Sequence, residues 1–358
     1  MSSRFSSLIP DPRRYGAGAP TALNSIADDN GLHAAVAHAL ASGDSTQVDT
    51  ALRAAPSRAA YVRLWNTIAD VAHSTAGGEP GAIVARLFAI PLVIVIGSRR
   101  PAQWPGVIAD IAAVTDLFRQ HGALGPTQNF GLGNALCSWE TLAGVTPSEI
   151  YRWTREVGGE RRELPPSPVA LEQPGEQVQL RFIVGAAIAP AVEPSFVETA
   201  SNIGKWGMPL TRELAKQLAQ PNVEVLPLAR PPRDLMNAAH DGRFAQLETA
   251  FTLFASNAVR RVRTATGDPV AVISAHDDGD VRVSLASPFD ESLSEGFRWP
   301  LHPLDDLAAV LGSIEGMLAD CRIPNVECSR TVLPALDARG ELWFARSPGM
   351  SPPIAAPH

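Results

Sequence analysis

Cys137 is the side chain with the most reactive chemistry open to it. A thiol at a helix N-terminus is acidified by the backbone dipoles and becomes a nucleophile when a histidine lies near in space. His121 is the nearest histidine in sequence. The neighbours Leu136, Trp139 and Leu142 point instead to a buried structural cysteine, and no G-x-S-x-G elbow offers a serine in its place. Just before it, Phe130-Gly131-Leu132-Gly133 contains a G-x-G. A phosphate-binding turn needs a third small residue and a preceding strand. Residues 125–129 read as loop, so the expectation is a glycine-rich turn that lets helices pack closely.

A second cluster, His276-Asp277-Asp278-Gly279-Asp280, gathers three carboxylates and an imidazole. Its oxygens suit a hard cation. The ligand spacing of a calcium loop is absent, and Asp-Gly is what a tight turn requires. Cys321 and Cys328 lack the paired histidines of a zinc site. His240-Asp241-Gly242 reads as a helix stop followed by a new start, and Trp299-Pro300-Leu301-His302-Pro303 could line a pocket. None of the eight histidines falls in an H-x-H or H-E-x-x-H pair. The sequence therefore leads us to expect no metal, no cofactor and no assigned catalytic residue.

The elements that would position these groups are legible from periodicity. Leu87 to Ile96 is an aliphatic run about half the ~20 residues a membrane helix needs, with Pro91 inside it. Its β-branched residues predict a buried strand. Helices are predicted over Leu32–Leu40, after Pro56-Ser57 through Tyr61, Leu64, Trp65, Ile68 and Val71, and over residues 106–120. Thr146-Pro147-Ser148-Glu149 is a capping box with proline in the first turn, starting a helix that ends near Glu156. Val178–Ala187, a helix over Leu210–Ala219 and Val223–Ala229 predict a βαβ crossover with parallel strands. Phe244, Leu247, Phe251, Phe254, Ala258 and Val262 predict the longest helix, followed by a hairpin of Val270–Ala275 with Val281–Ala286. Leu304 to Leu318 reads as a helix. Arg330–Leu336 and Glu341–Ala345 read as a second hairpin around Asp337-Ala338-Arg339-Gly340.

The class is mixed α/β, with a helix-rich N-terminal half and a C-terminal half holding a βαβ unit and antiparallel hairpins. The expected organisation is an N-terminal arm over 1–30, a helix-rich domain over 31–157 with one buried strand, a Pro/Gly-rich linker over 158–177, an α/β domain over 178–347 and a loose tail over 348–358.

The net charge is −7, 45% of the 358 residues are hydrophobic and 19% are charged. Neither half of the chain carries a basic excess, which argues against nucleic-acid binding. Only Lys205 and Lys216 are lysines, a bias typical of GC-rich bacterial genomes that denies arginine clusters special meaning. Three cysteines without framework spacing, and no secretory leader in Met1-Ser2-Ser3-Arg4-Phe5, suit a reducing cytoplasm. Missing catalytic constellations, a Ser/Pro/Gly-rich arm and tryptophans at 139, 153, 206, 299 and 343 lead to one expectation. The chain acts as a cytoplasmic accessory or scaffold protein that binds a protein partner or a second copy of itself, without membrane insertion. Phe5, Leu8, Ile9 and Tyr15 of the arm are the candidate interface residues. The alternative is a small-molecule enzyme or ligand-binding domain with its site at the strand ends near Ala187 and Ala229.

Overall fold

A computed structural model describes residues 11, 13, 15, 21–75, 83–97, 106–125, 127–157, 177–218, 220–226, 230–290 and 292–345. The chain forms two compact units. One comprises residues 19–55 and 63–246, the other residues 1–18, 56–62 and 247–358. The fold is mixed α/β, with one four-stranded sheet in each unit.

Helices α1 (Asp29–Ala41), α2 (Thr46–Arg53) and α3 (Arg58–His73) come first, and α1 is capped by the Asp28 carboxylate on the Gly31 N–H. Helix formation thus begins inside the stretch expected to be an arm. Leu23 is buried, and the Asn24 side-chain amide donates to the Ala51 carbonyl.

Four strands build the first sheet: β1 (Ile83–Ile96), β2 (Asn129–Ser138), β3 (Gln177–Pro190) and β4 (Val223–Leu226), in the order β2-β3-β1-β4. Every neighbouring pair is antiparallel. β1 reaches β2 through α4 (Ile111–Gln120), and β3 reaches β4 through α7 (Phe196–Thr199) and α8 (Ile203–Gln217). Each joined pair is parallel with one antiparallel strand between, so the connectivity is two interlocked split βαβ units, the ferredoxin-like plan. The expected parallel crossover from β3 to β4 is present, with β1 inserted between its two strands.

On one face Phe88, Ile90, Leu92, Ile94 and Ile96 alternate inward and pack with Val114, Phe118, Trp206, Leu210 and Leu214 of α4 and α8. Rings of Phe88, Phe118, Phe130 and Phe196 pack against one another, stacked, tilted or edge-on, at centroid distances of 4.4–5.7 Å. On the other face lie α5 (Trp139–Ala143), α6 (Pro147–Glu156) and the start of α9 (Leu235–Ala265). The Thr146–Glu149 capping box opens α6 as expected, and Thr154 fastens that helix to the Ala72 carbonyl at the end of α3.

Two expectations are corrected here. β3 follows residues 158–177 yet pairs with β1 over its whole length, so both sides of that stretch contribute to one sheet and it does not separate two domains. The His240-Asp241-Gly242 stop is absent, because α9 runs unbroken through it. A Cβ at Gly242 would lie 2.7 Å from the Trp139 Cβ and 2.9 Å from the Phe182 ring, so this glycine serves close helix–sheet approach.

In the second unit β5 (Val270–Ala275), β6 (Asp280–Ala286) and β7 (Ser294–Pro300) form an antiparallel meander. Helix α10 (Leu307–Asp320) then crosses to β8 (Asn325–Cys328), which lies parallel to β5 on its other side. The α9 stretch of this unit runs parallel to α10. Glu248 pairs with Ser313, Thr252 with Met317 and Ser256 with Cys321, always 65 residues apart. Ile273, Val283, Leu285, Phe297 and Trp299 face these helices around Phe251, Leu311 and Ile314.

Candidate functional site

The opposite face of the second sheet is polar. Because side chains alternate along a strand, Ser274 of β5 and Arg282 and Ser284 of β6 share the side away from α9 and α10. His276 and Asp280 flank them at the hairpin turn, where Gly279 adopts the positive φ of +88° that the reversal requires. All five side chains are buried, Arg282 and His276 completely.

They are buried by the chain's own C-terminal segment. His276 donates from Nδ1 to the Pro334 carbonyl at 2.8 Å and accepts the Ser274 hydroxyl at Nε2 at 2.9 Å. A carbonyl can only accept, which fixes the tautomer. Arg282 donates from Nη1 to the carbonyls of Ala335 and Trp343, at 2.6 and 2.8 Å, and pairs through Nη2 with Asp278. Ser284 donates to the Ala345 carbonyl, and Asp277 accepts the Ala335 N–H at 2.9 Å. The Phe344 ring lies over Gly296, where any Cβ would collide with it.

Of the hairpin expected from Arg330–Leu336 and Glu341–Ala345, the structure forms a short version over residues 335–343, closed by one antiparallel bridge. Trp343 N–H donates to the Ala335 carbonyl, Leu336 bridges Leu342, and Asp337 to Gly340 make the turn, with Gly340 at φ +78°. One guanidinium therefore grips both arms at the stem. Along and beside that stem Leu336, Leu342 and Trp343 stand 51%, 47% and 37% exposed. Of the five tryptophans expected at an interface, Trp206 and Trp299 are core, and Trp343 reaches solvent.

Chemically, this face is built to hold main chain. Burial holds the His276 pKa below the usual histidine range, so the imidazole is neutral and a competent acceptor for Ser274. Such a Ser–His pair could in principle attack a carbonyl. With Ser274 at 1% and His276 at 0% exposure, a substrate has no approach to it in this closed form.

The other candidate residues are dispersed. Cys137 lies in β2, opposite Phe182 of β3, and burial pushes its thiol up to about 11. The thiol is inert there, while His121 caps the far end of α4. The G-x-G lies inside β2, which corrects the expected glycine-rich turn. The cluster from His276 to Asp280 does not converge on a cation: Asp278 and Asp280 face Arg282 and Arg298, and Asp277 faces the hairpin backbone. Among the described residues no group of three metal-ligating side chains forms, and no helix is long and apolar enough to cross a membrane.

Of the arm residues, Phe5, Leu8 and Ile9 lie outside the described residues. Tyr15 donates its hydroxyl to the Pro303 carbonyl at 3.3 Å, beside Arg13, whose Nη1 reaches the carbonyls of His302 and Asp305. His302 packs edge-on against Tyr61, while Trp299 is fully buried. Ala187 is buried within β3 beside a shallow depression of about 30 Å³ that Arg86, Glu193 and Ser195 border. That is far below the several hundred Å³ of a typical metabolite site. Ala229 lies outside the described residues.

Comparisons with protein-family models, with curated proteins and with solved structures return no match.

Proposed function

We propose that this chain is a non-catalytic accessory or scaffold protin of the bacterial cytoplasm that works by binding other protein chains, and that the C-terminal hairpin makes the contact. The observation that carries this reading is a division of labour along the hairpin. A completely buried arginine locks its stem, while three large apolar side chains beside that stem, Leu336, Leu342 and Trp343, stay partly open to water. Interface anchors are rigid apolar groups that lose little entropy on binding, and tryptophan is enriched among them. Covering the exposed parts of Leu336, Leu342 and Trp343 would contribute on the order of 2–4 kcal/mol.

The test compares the wild-type chain with a Leu336→Ser/Leu342→Ser/Trp343→Ser variant, by sedimentation velocity of purified protein and by affinity capture from the host. The wild type is expected to self-associate or to retain a defined partner, and the variant to lose it while still unfolding in one cooperative transition. A monomeric wild type that captures nothing beyond what the variant captures overturns the reading.

A further inference from the structure

Arg181 of β3 is a buried cation whose charge the protein leaves unmatched. We propose that it is the recognition residue of a ligand site in the first unit, one that takes a small organic monocarboxylate with an apolar body. The site shares no residue with the hairpin contact proposed above and stands or falls independently of it.

Register fixes where the side chain goes. Arg181 lies opposite Leu92 of β1 and Ser138 of β2, and directly opposed residues share a face. Leu92 belongs to the aliphatic layer beneath α4 and α8, as does Ile183 two residues on, so the arginine stem enters an apolar face. Only 9% of the residue is exposed. Its Nη2 donates to Gln179 Oε1 at 2.8 Å, and its Nε is enclosed without a hydrogen-bond partner. Among the described residues the guanidinium forms no ion pair, and Glu140 and the Cys137 thiol act on it through space alone. Burial holds its pKa below the usual arginine value, yet arginine stays charged at neutral pH. Arg13 and Arg282, also enclosed, are matched. Arg13 has Asp11 and two carbonyls, and Arg282, which likewise leaves Nε bare, has Asp278, Asp280 and two carbonyls. A buried charge without a counter-charge is costly, and at Arg181 the protein supplies one amide oxygen. The same chemistry selects the ligand class. A guanidinium presents a planar fork that meets a carboxylate with two parallel hydrogen bonds. One positive charge balances one negative charge, whereas a phosphate monoester brings nearly two, with Glu140 near enough to repel the excess. Leu92 and Ile183 offer no polar partner, which favours an apolar body behind the carboxylate.

The test follows the guanidinium itself. In the full chain labelled with nitrogen-15 arginine, the Nε–H resonance that Arg181→Met removes is that of Arg181. Sodium acetate and sodium benzoate are titrated in at neutral pH and constant ionic strength, with phenyl phosphate as the arm that keeps the ring and changes the charge. The expected result is a saturable shift of the Arg181 resonance with both carboxylates, tighter for benzoate than for acetate and weaker for phenyl phosphate than for benzoate. Benzoate should also raise the thermal midpoint of the wild type by a few degrees and leave that of Arg181→Met in place. Without additive, Arg181→Met is expected to melt no lower than the wild type, because it removes a charge that the fold does not pair. The absence of a saturable shift with either carboxylate overturns the proposal. An equal or stronger response to phenyl phosphate overturns the carboxylate assignment, and a benzoate effect of the same size in Arg181→Met overturns the role of Arg181. Should Arg181→Met fail to fold, Arg181→Lys keeps the charge, loses the planar fork and assigns the same resonance by its absence. Benzoate should bind that variant about tenfold more weakly, and unchanged affinity there also sinks the site.

Discussion

Replacing Arg282 with methionine should unfasten the C-terminal hairpin while leaving the sheet beneath it intact. Methionine keeps the length of the apolar stem and removes the guanidinium, which is fully buried. Two bonds from a charged donor are lost, at 2.6 and 2.8 Å, together with the pairing to Asp278 and the 3.8 Å approach to Asp280. Hydrogen bonds to charged groups contribute roughly 1.5–3 kcal/mol each, and the guanidinium's own desolvation and the buried methionine offset part of the loss. Breaking a buried ionic contact from one side costs about 3–5 kcal/mol net. That is a large fraction of the roughly 5–15 kcal/mol that holds a typical domain together. Urea unfolding reads the loss as a lowered midpoint at constant slope, and chymotrypsin reads its location as new cleavage after Phe344. Arg298→Met supplies the contrast, because its guanidinium is half exposed and pairs with Asp280 and not with the hairpin carbonyls, so Phe344 should stay as protected as in the wild type. A loss below about 1 kcal/mol for Arg282→Met, with Phe344 as protected as in the wild type, would refute the clamp.

Acid should destabilise both units through buried histidines. Burial lowers the pKa of His73 and of His276 below 6.5, so the unfolded chain binds more protons, and stability is complete above pH 6.5 and falls as pH drops below it. Each histidine adds a slope of up to about 1.4 kcal/mol per pH unit; His73→Gln should flatten the pH dependence of the unfolding midpoint, and an unchanged profile would contradict the assignment. His73 accepts the Leu235 N–H at Nε2, at the start of α9, a bond that a protonated ring cannot make. Gly185→Ala would push a Cβ to 2.5 Å from the Phe88 ring and 2.7 Å from the Gly131 carbonyl, lowering stability by about 1–3 kcal/mol. Gly316→Ala meets nothing within 4 Å on α10, and should raise stability by about 0.5–1 kcal/mol; thermal melts of the two check both signs. Cys137 should resist alkylation in native protein at neutral pH and react on unfolding, as mass spectrometry of labelled peptides would show.

Much of this fold is readable from local pattern. The aliphatic run of β1, the capping box at Thr146, the α9 stripe from Phe244 to Val262 and the hairpin of β5 with β6 all follow from period, caps and turn chemistry. Strand β2 is misread because Gly131 and Gly133 have low strand propensity and the pairing shifts register between Leu132 and Leu136, although Phe130, Leu132 and Leu136 all turn inward. β7 escapes notice for a similar reason: Gly296 and Arg298 interrupt a strand whose Phe297 and Trp299 alone face the core. The division at 158–177 fails because strand pairing is non-local, and composition says nothing of which strands meet. The site is half legible. The turn at Asp337–Gly340 and the cluster from His276 to Asp280 both stand out in the sequence. That the second receives the first, through Arg282, depends on a register only the folded sheet supplies.

The most direct test of the central claim places a photo-reactive amino acid at position 343 in the living host, with the same probe at exposed Arg212 as control. A discrete protein adduct is expected at 343 and none at 212. Irradiation that yields no adduct at 343 above the control would show that this side of the hairpin meets solvent alone.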